Sequence, residues 1–254
     1  MAGHNKWSKI KRKKGANDAA RAARFAKASR AIIHATRACR GDMANLRLQS
    51  AVAHARNINM PKDRIEDAIS RWEPRKGETA TDMLTMRYDA MMNFGGTKVA
   101  CLIMALSENR NRTASSVRAT VTRQGGELLP TASHDYLFQK VGMALIEDLP
   151  ADFDEDGLWE CAMEGGATDV DVDTEEKSAV ITSEPEDLWA MVEVLREKGY
   201  EPTEFDHKYV LNDVDMAVEI DQQGQERLEM FLDKFDEDPD VTNVFHNSIT
   251  TDSS

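Results

Sequence analysis

The chain has 254 residues, enough for one large domain or for about two to three small ones. Its hydrophobic fraction of 41% excludes a wholly disordered protein. The formal net charge of −13 hides an asymmetry: residues 1–72 contain 17 Lys and Arg against 5 Asp and Glu, and the other 182 residues contain 15 against 40. Net charges of +12 and −25 in one chain favour a polyanion-binding module joined to an acidic body.

Several classes of protein are excluded by missing patterns. The three cysteines, Cys39, Cys101 and Cys161, are far apart and form no CxxC pair, which argues against a disulfide framework or a zinc site. The six histidines show no ligand-like spacing, so we expect no metal and no cofactor. No apolar run is long enough to span a membrane, and the start lacks the apolar centre of a secretory signal. Phosphate-loop, GxSxG, HExxH and dinucleotide motifs are missing too, so we expect a protein that is not an enzyme.

The N-terminal part is expected to be helical behind a basic arm. Residues 1–16 carry six basic residues and one large aromatic, Trp7, without apolar periodicity, which predicts an extended arm. Helices are then predicted over Asp18–Arg40, stopped by Gly41, over Ala44–Asn57, and from Pro61 to Trp72. Together they predict a three-helix bundle.

The rest of the chain reads as mixed α and β structure. Two strand-forming segments flank the turn signal Asn93–Gly96, and a helix is expected between Asn109 and Gly125–Gly126. Residues 143–210 follow the order β-α-β-β-α-β of a ferredoxin-like domain, in which Ser183–Glu186 is expected to cap the second helix. After residue 210 the elements are predicted as Met216–Ile220 (strand), Gln222–Phe235 (helix) and Val241–Phe245 (strand).

The arm and first helix are the strongest candidate site. Polyanion binding needs many cations within reach of successive phosphates, because affinity comes largely from released counterions. Trp7 either stacks on an exposed base or packs against the bundle. The candidate nucleic-acid-binding residues are His4, Lys6, Trp7, Lys9, Lys11, Arg12, Lys13, Lys14, Arg21, Arg24, Lys27 and Arg30.

A second candidate is an anion site at Asn109, Arg110, Arg112 and Thr113. These residues lie between a strand end and a helix start, where backbone N–H groups already favour an anion. From Asn109 to Gly126 the chain has four arginines and no acid. The alternative is that Thr113 caps the helix and the arginines are solvated or paired.

The opening residues Ala2–Lys11, AGHNKWSKIK, resemble the signature of the YebC family, which includes mitochondrial translational activators. Support comes from Asn59–Lys62, Ala105–Thr113 and Val244–Asn247, so the resemblance covers essentially the whole chain. The segment Ala132–Phe138 lacks the small-residue run that the family usually has before an aromatic.

The resemblance implies an α+β, multi-domain fold. Its parts are an N-terminal three-helix bundle (1–76), a central two-segment α+β domain (77–141 plus 211–254) and an inserted ferredoxin-like βαββαβ domain (142–210). It also implies a nucleic-acid partner, either DNA for a transcriptional regulator or ribosomal RNA for a translation factor. Because the signature starts directly after Met1, a bacterial cytoplasmic protein or a processed form in the mitochondrial matrix is expected. A monomer is favoured.

A different class of function stays open. The acidic domains could be the working surface of a protein-interaction module, with the basic arm adding only nonspecific retention. Charge reversal of Lys11–Lys14 separates the two hypotheses, because the interaction module would keep its activity.

Overall fold

A computed structural model describes residues 18–72, 83–150 and 153–250 of the chain. The α-helices of this part are α1 (Asp18–Ala38), α2 (Leu46–Asn57), α3 (Lys62–Ile69), α4 (Arg110–Arg123), α5 (Glu155–Glu164), α6 (Leu188–Glu197) and α7 (Gln222–Glu237). The strands are β1 (Leu84–Phe94), β2 (Thr97–Ser107), β3 (Glu127–Leu129), β4 (Phe138–Ile146), β5 (Ala167–Asp173), β6 (Ser178–Ser183), β7 (Glu204–Leu211), β8 (Val218–Ile220), β9 (Val241–His246) and β10 (Ser248–Thr250). Short 3-10 turns lie at Ser70–Trp72 and Val214–Met216.

The described residues divide into two compact units. The ferredoxin-like unit comprises 42–57, 140–150 and 153–210, and the central unit comprises 18–41, 58–72, 83–139 and 211–250. The predicted domain over residues 1–76 differs from this grouping, because α2 falls in the ferredoxin-like unit while α1 and α3 pack on each other in the central unit.

The sheet of the ferredoxin-like unit has the strand order β5-β6-β4-β7. The third strand of the βαββαβ order, β6, lies antiparallel between the first and the second, which is the split arrangement predicted from the sequence. α5 and α6 cover one face of the sheet, where Leu158, Met191 and Ile181 form part of a closed apolar core. The multi-domain α+β fold is thereby confirmed.

α2 is held along the strand β7 of the same unit. Its Ser50 hydroxyl donates to the Phe205 carbonyl, and the Asn57 amide donates to the Thr203 carbonyl at 3.2 Å. An edge strand exposes unpaired backbone groups, so these side-chain donors satisfy part of that edge.

The central unit is built on the sheet β3-β1-β2-β9. β1 and β2 pair over their full length around a two-residue turn at Gly95 and Gly96, whose φ values of 64° and 94° need glycine. One face of the sheet carries α4 and α7, with Val117, Val121 and Phe231 fully buried between them.

Several predicted boundaries are wrong. The first strand of the βαββαβ order, expected to begin at residue 143, begins at Phe138 as part of β4 (Phe138–Ile146). The capping box at Ser183–Glu186 does not form: the Ser183 hydroxyl bonds the Glu184 carbonyl, and α6 begins only at Leu188.

Candidate nucleic-acid interface

α1 carries the part of the basic segment that the structure describes. Its many alanines favour a helix, and the chain leaves the helix through a bond from the Gly41 N–H to the Thr36 carbonyl at 2.9 Å, with Arg40 left-handed at φ 53°. Phe25 and Ile32 are buried on its inner side. The candidate residues His4, Lys6, Trp7, Lys9, Lys11, Arg12, Lys13 and Lys14 lie outside the described residues.

Two cations of α1 are engaged within the fold. Lys27 donates to the Phe235 carbonyl at 2.6 Å, near the C-terminus of α7, and lies 3.8 Å from Asp236. The negative end of a helix dipole and a carbonyl both suit an ammonium there. Burial lowers the pKa of Lys27, and the neighbouring Asp236 and Asp238 offset this only in part.

Arg30 is the second engaged cation. Its guanidinium bonds the carboxylate of Asp240 and donates to the Pro239 carbonyl at 2.9 Å. Lys27 and Arg30 therefore fix α1 to the end of α7 and to the turn before β9. Both were predicted to bind nucleic acid, but the residues that they bind here belong to the same chain.

The same Asp240 occupies the predicted second anion site. Arg112 holds it through two nitrogens, with Nε–Oδ2 at 3.2 Å and NH2–Oδ2 at 2.9 Å, and the Thr113 hydroxyl donates at 2.9 Å. Asn109, not Thr113, caps α4, because its side chain accepts from the Arg112 N–H at 3.0 Å. Of the four predicted residues, Arg112 and Thr113 bind a carboxylate of the protein itself.

Asp240 itself is almost completely buried, with 4% of its side chain exposed. Burial alone would raise the pKa of its carboxyl, but the hydrogen bonds from Arg112, Thr113 and Arg30 outweigh this effect and hold the pKa below its ordinary value. Sequence reasoning missed this residue, because nothing in the pattern of Asp238–Asp240 distinguishes a buried carboxylate from a solvated one.

Arg21 remains as an exposed cation at the start of α1. Its guanidinium lies 5.4 Å from the ring centre of Phe25, and the guanidinium of Arg64, from α3, lies 5.8 Å from the same ring. Neither forms an ion pair with a carboxylate whose side chain the structure describes. Arg24 is half-buried on the same helix. Arg64 was not among the predicted residues; its signal was the surplus of cations in residues 1–72.

Metal-binding clusters and membrane-spanning helices are not found among the described residues. Within the described ranges, no group of three or more His, Cys, Asp or Glu could hold a metal ion. None of the helices described here is long and apolar enough to cross a membrane.

The comparisons with known proteins cover nearly the whole chain. Residues 5–74 match the family described as TACO1/YebC protein N-terminal domain, and residues 83–248 match TACO1/YebC second and third domain. A Treponema denticola protein is 38% identical over 248 residues, 97% of this chain and 96% of that protein. A Rubrobacter xylanophilus protein is 38% identical over 251 residues, covering 97% and 95%. Each is named a probable transcriptional regulatory protein.

The fold also matches a solved structure. The crystal structure of a conserved hypothetical protein from Aquifex aeolicus has a TM-score of 0.76 and 30% sequence identity, and the match covers 98% of both chains.

Proposed function

Because the chain belongs to the TACO1/YebC family, whose relatives are named probable transcriptional regulatory proteins, we propose that it is a non-enzymatic, nucleic-acid-binding regulator of gene expression. The contact runs from the basic arm, residues 1–17, onto the start of α1. The observation that carries the proposal is the pair Arg21 and Arg64 around Phe25. Two guanidiniums without a described carboxylate partner gain most from an external anion.

The engaged cations support the same assignment. Lys27 and Arg30 hold α1 in place through Phe235 and Asp240. Arg21, at the start of α1, therefore projects from a helix whose position is fixed. Preorganised cations lose less conformational entropy when they meet a phosphate. The arm adds six basic residues directly before them.

Either DNA or RNA could bind this surface through its phosphates. The names of the relatives favour DNA, and Trp7 in the arm favours an RNA with unstacked bases. Phosphate contacts position a protein but carry no sequence information, so the proposal extends to the backbone of the nucleic acid and not to a particular sequence.

The test is co-sedimentation of the full chain with purified ribosomes, with duplex DNA as competitor. A variant with Lys11, Arg12, Lys13 and Lys14 changed to Gln should lose most of the bound fraction. A control with Arg227→Gln and Lys234→Gln on α7 changes charge on another surface and should bind like the wild type. Equal binding of all three proteins would overturn the proposal. If duplex DNA prevents all co-sedimentation with ribosomes, DNA and the ribosome bind the same surface of the protein.

A second candidate function is a protein-interaction module in the ferredoxin-like unit. Trp159 and Met163 lie one turn apart on α5 with 37% and 52% of their surface exposed, among acidic neighbours such as Glu160 and Glu164. Adjacent exposed apolar side chains rimmed by polar residues are typical of protein-interaction sites. This function predicts that activity in cells is lost with Trp159→Ala and is kept by the arm variant.

A further inference from the structure

Helix α4 of the central unit has a strongly one-sided composition. Its inner side buries Thr113, Val117 and Val121. Across the helix and its caps, from Asn109 to Gly126, there are four arginines and no acid, although the chain after residue 72 has a net charge of −25.

The outer side of α4 carries small polar side chains along its middle and an arginine on each flank. Ser115 and Thr122 are exposed on its central line, about 20° apart around the helix axis. Arg118 lies about 60° to one side of Ser115, and Arg123 about 80° to the other side. All four side chains are exposed. We call this set, Ser115, Arg118, Thr122 and Arg123, the α4 face.

The arginines of the α4 face are not neutralised by the fold. Arg112, one turn earlier, is bound by Asp240 at 2.9 Å, and on α7 Lys234 pairs with Glu237 at 3.0 Å. Neither Arg118 nor Arg123 forms an ion pair with any carboxylate in the described ranges. These two cations lack an ion-pair partner in the described ranges and are available to an external anion.

From these observations we propose that the α4 face is a second contact for the sugar–phosphate backbone of a double-stranded nucleic acid. Exposed hydroxyls donate to phosphate oxygens, and arginine holds them through two nitrogens. The small side chains between the arginines let the backbone approach closely. Arg118 and Arg123 lie about 140° apart around the helix axis, so a backbone that passes over Ser115 and Thr122 has one guanidinium on each side.

The chemistry of the face argues against a protein partner. Hot spots of protein interfaces are rich in Trp, Tyr and Arg that cluster in desolvated pockets; the α4 face has exposed arginines but no aromatic or large apolar side chain to anchor a protein. The inference rests on the proposed nucleic-acid binding, but it places a separate contact on different residues from the arm and α1.

The experiment measures binding of the full chain to a fluorescent 20-bp DNA duplex and a 20-bp RNA duplex between about 50 and 200 mM salt, the range over which phosphate contacts show most clearly. The variants are Arg118→Gln with Arg123→Gln, and separately Ser115→Glu, which adds a negative charge in the middle of the face. Arg227→Gln with Lys234→Gln, both on the exposed side of α7, is the matched control for the loss of two positive charges. Thermal unfolding checks that each variant is folded.

Two lost phosphate contacts should make the log–log salt slope less negative by about 1.8 for the double variant. Ser115→Glu should weaken binding roughly tenfold at low salt, because one hydroxyl–phosphate hydrogen bond is replaced by charge repulsion, and the control should match the wild type. The duplex that shows the larger change identifies the polymer that the α4 face prefers.

The failure of this inference is distinguishable from failure of the proposed function. If the wild type binds neither duplex, and ribosomes do not retain it, the proposed function is wrong and the α4 face falls with it. If the wild type binds and the arm variant does not, but the α4 variants bind like the wild type, only the α4 face is overturned. A loss that the two-charge control on α7 shares equally would also overturn it, because it would reflect long-range charge alone.

Discussion

Replacing Asp240 by asparagine should destabilise the central unit more than any other single removal of a carboxylate charge from α7 or the turn that follows it. The side chain keeps its size, but the charge that holds Arg30, Arg112 and Thr113 disappears. Two guanidiniums then keep their places without an anion. The connection between α1, the start of α4 and the turn before β9 is weakened at one point.

The expected loss is about 3 kcal/mol. Breaking a buried ion pair costs about 3–5 kcal/mol. Asp240 is buried, but Arg112 keeps 58% of its side chain exposed, so water screens part of its interaction and the lower end applies. For a protein of this size the loss corresponds to a fall in Tm of about 6–12 °C.

Urea denaturation followed by circular dichroism measures the change, with Asp233→Asn, on the exposed side of α7, as the matched control. A double-mutant cycle with Arg112→Gln isolates the coupling between the two side chains. If Asp240→Asn costs less than about 1 kcal/mol, or no more than the control, the carboxylate does not organise this junction and the reasoning fails; a typical single substitution costs about as much.

The pH dependence supplies an independent check. The pKa of Asp240 is lower in the folded protein than its ordinary value of 3.8. As the pH falls, the unfolded chain therefore takes up the proton first. The stabilisation is complete above the ordinary pKa and is lost as the pH falls through the folded-state pKa. Asp240→Asn should show a smaller loss of stability in this acid range than the wild type.

Three further predictions concern other groups of the central and ferredoxin-like units. A thiol reagent should label half-buried Cys39 first, because burial raises the pKa of both Cys101 and Cys161. Mass spectrometry of the labelled peptides measures the order of labelling, and early labelling of Cys101 would contradict the prediction. Burial lowers the pKa of His134 from its ordinary 6.5, so the wild type should lose stability as the pH falls below about 6.5, and His134→Gln should flatten this decline in urea titrations. Gly95→Ala should lower the free energy of unfolding by at least about 1 kcal/mol, since φ is 64° and the new Cβ would lie 2.5 Å from the carboxylate of Asp221. A thermal midpoint equal to that of the wild type would refute this prediction.

The order of elements could be predicted from the sequence because it depends on local patterns. The turn at Gly95–Gly96 and the helix stop at Gly41 depend on local backbone conformation that glycine provides. The short strands β3 and β10 were missed, since three residues carry too little periodicity to stand out. The sequence could not predict that α2 belongs to the ferredoxin-like unit, because an amphipathic stripe does not identify the element that packs against it.

The candidate site was predicted only in outline. The surplus of cations in residues 1–72 pointed to the part of the chain that contains Arg21 and Arg64. It could not separate them from Lys27 and Arg30, whose partners come from more than 200 residues later in the chain. A charge pattern shows how many cations a segment has; only the fold shows which of them are already paired.

The most direct test of the account is the salt dependence of duplex-DNA binding by the full chain and by the variant with Lys11, Arg12, Lys13 and Lys14 changed to Gln. If the arm and the start of α1 neutralise about six phosphates, the wild-type log–log slope is about −5 or steeper, and the four lost cations make it less negative by about 3.6. A wild-type slope near zero, or a slope that the arm variant leaves unchanged, would contradict the account.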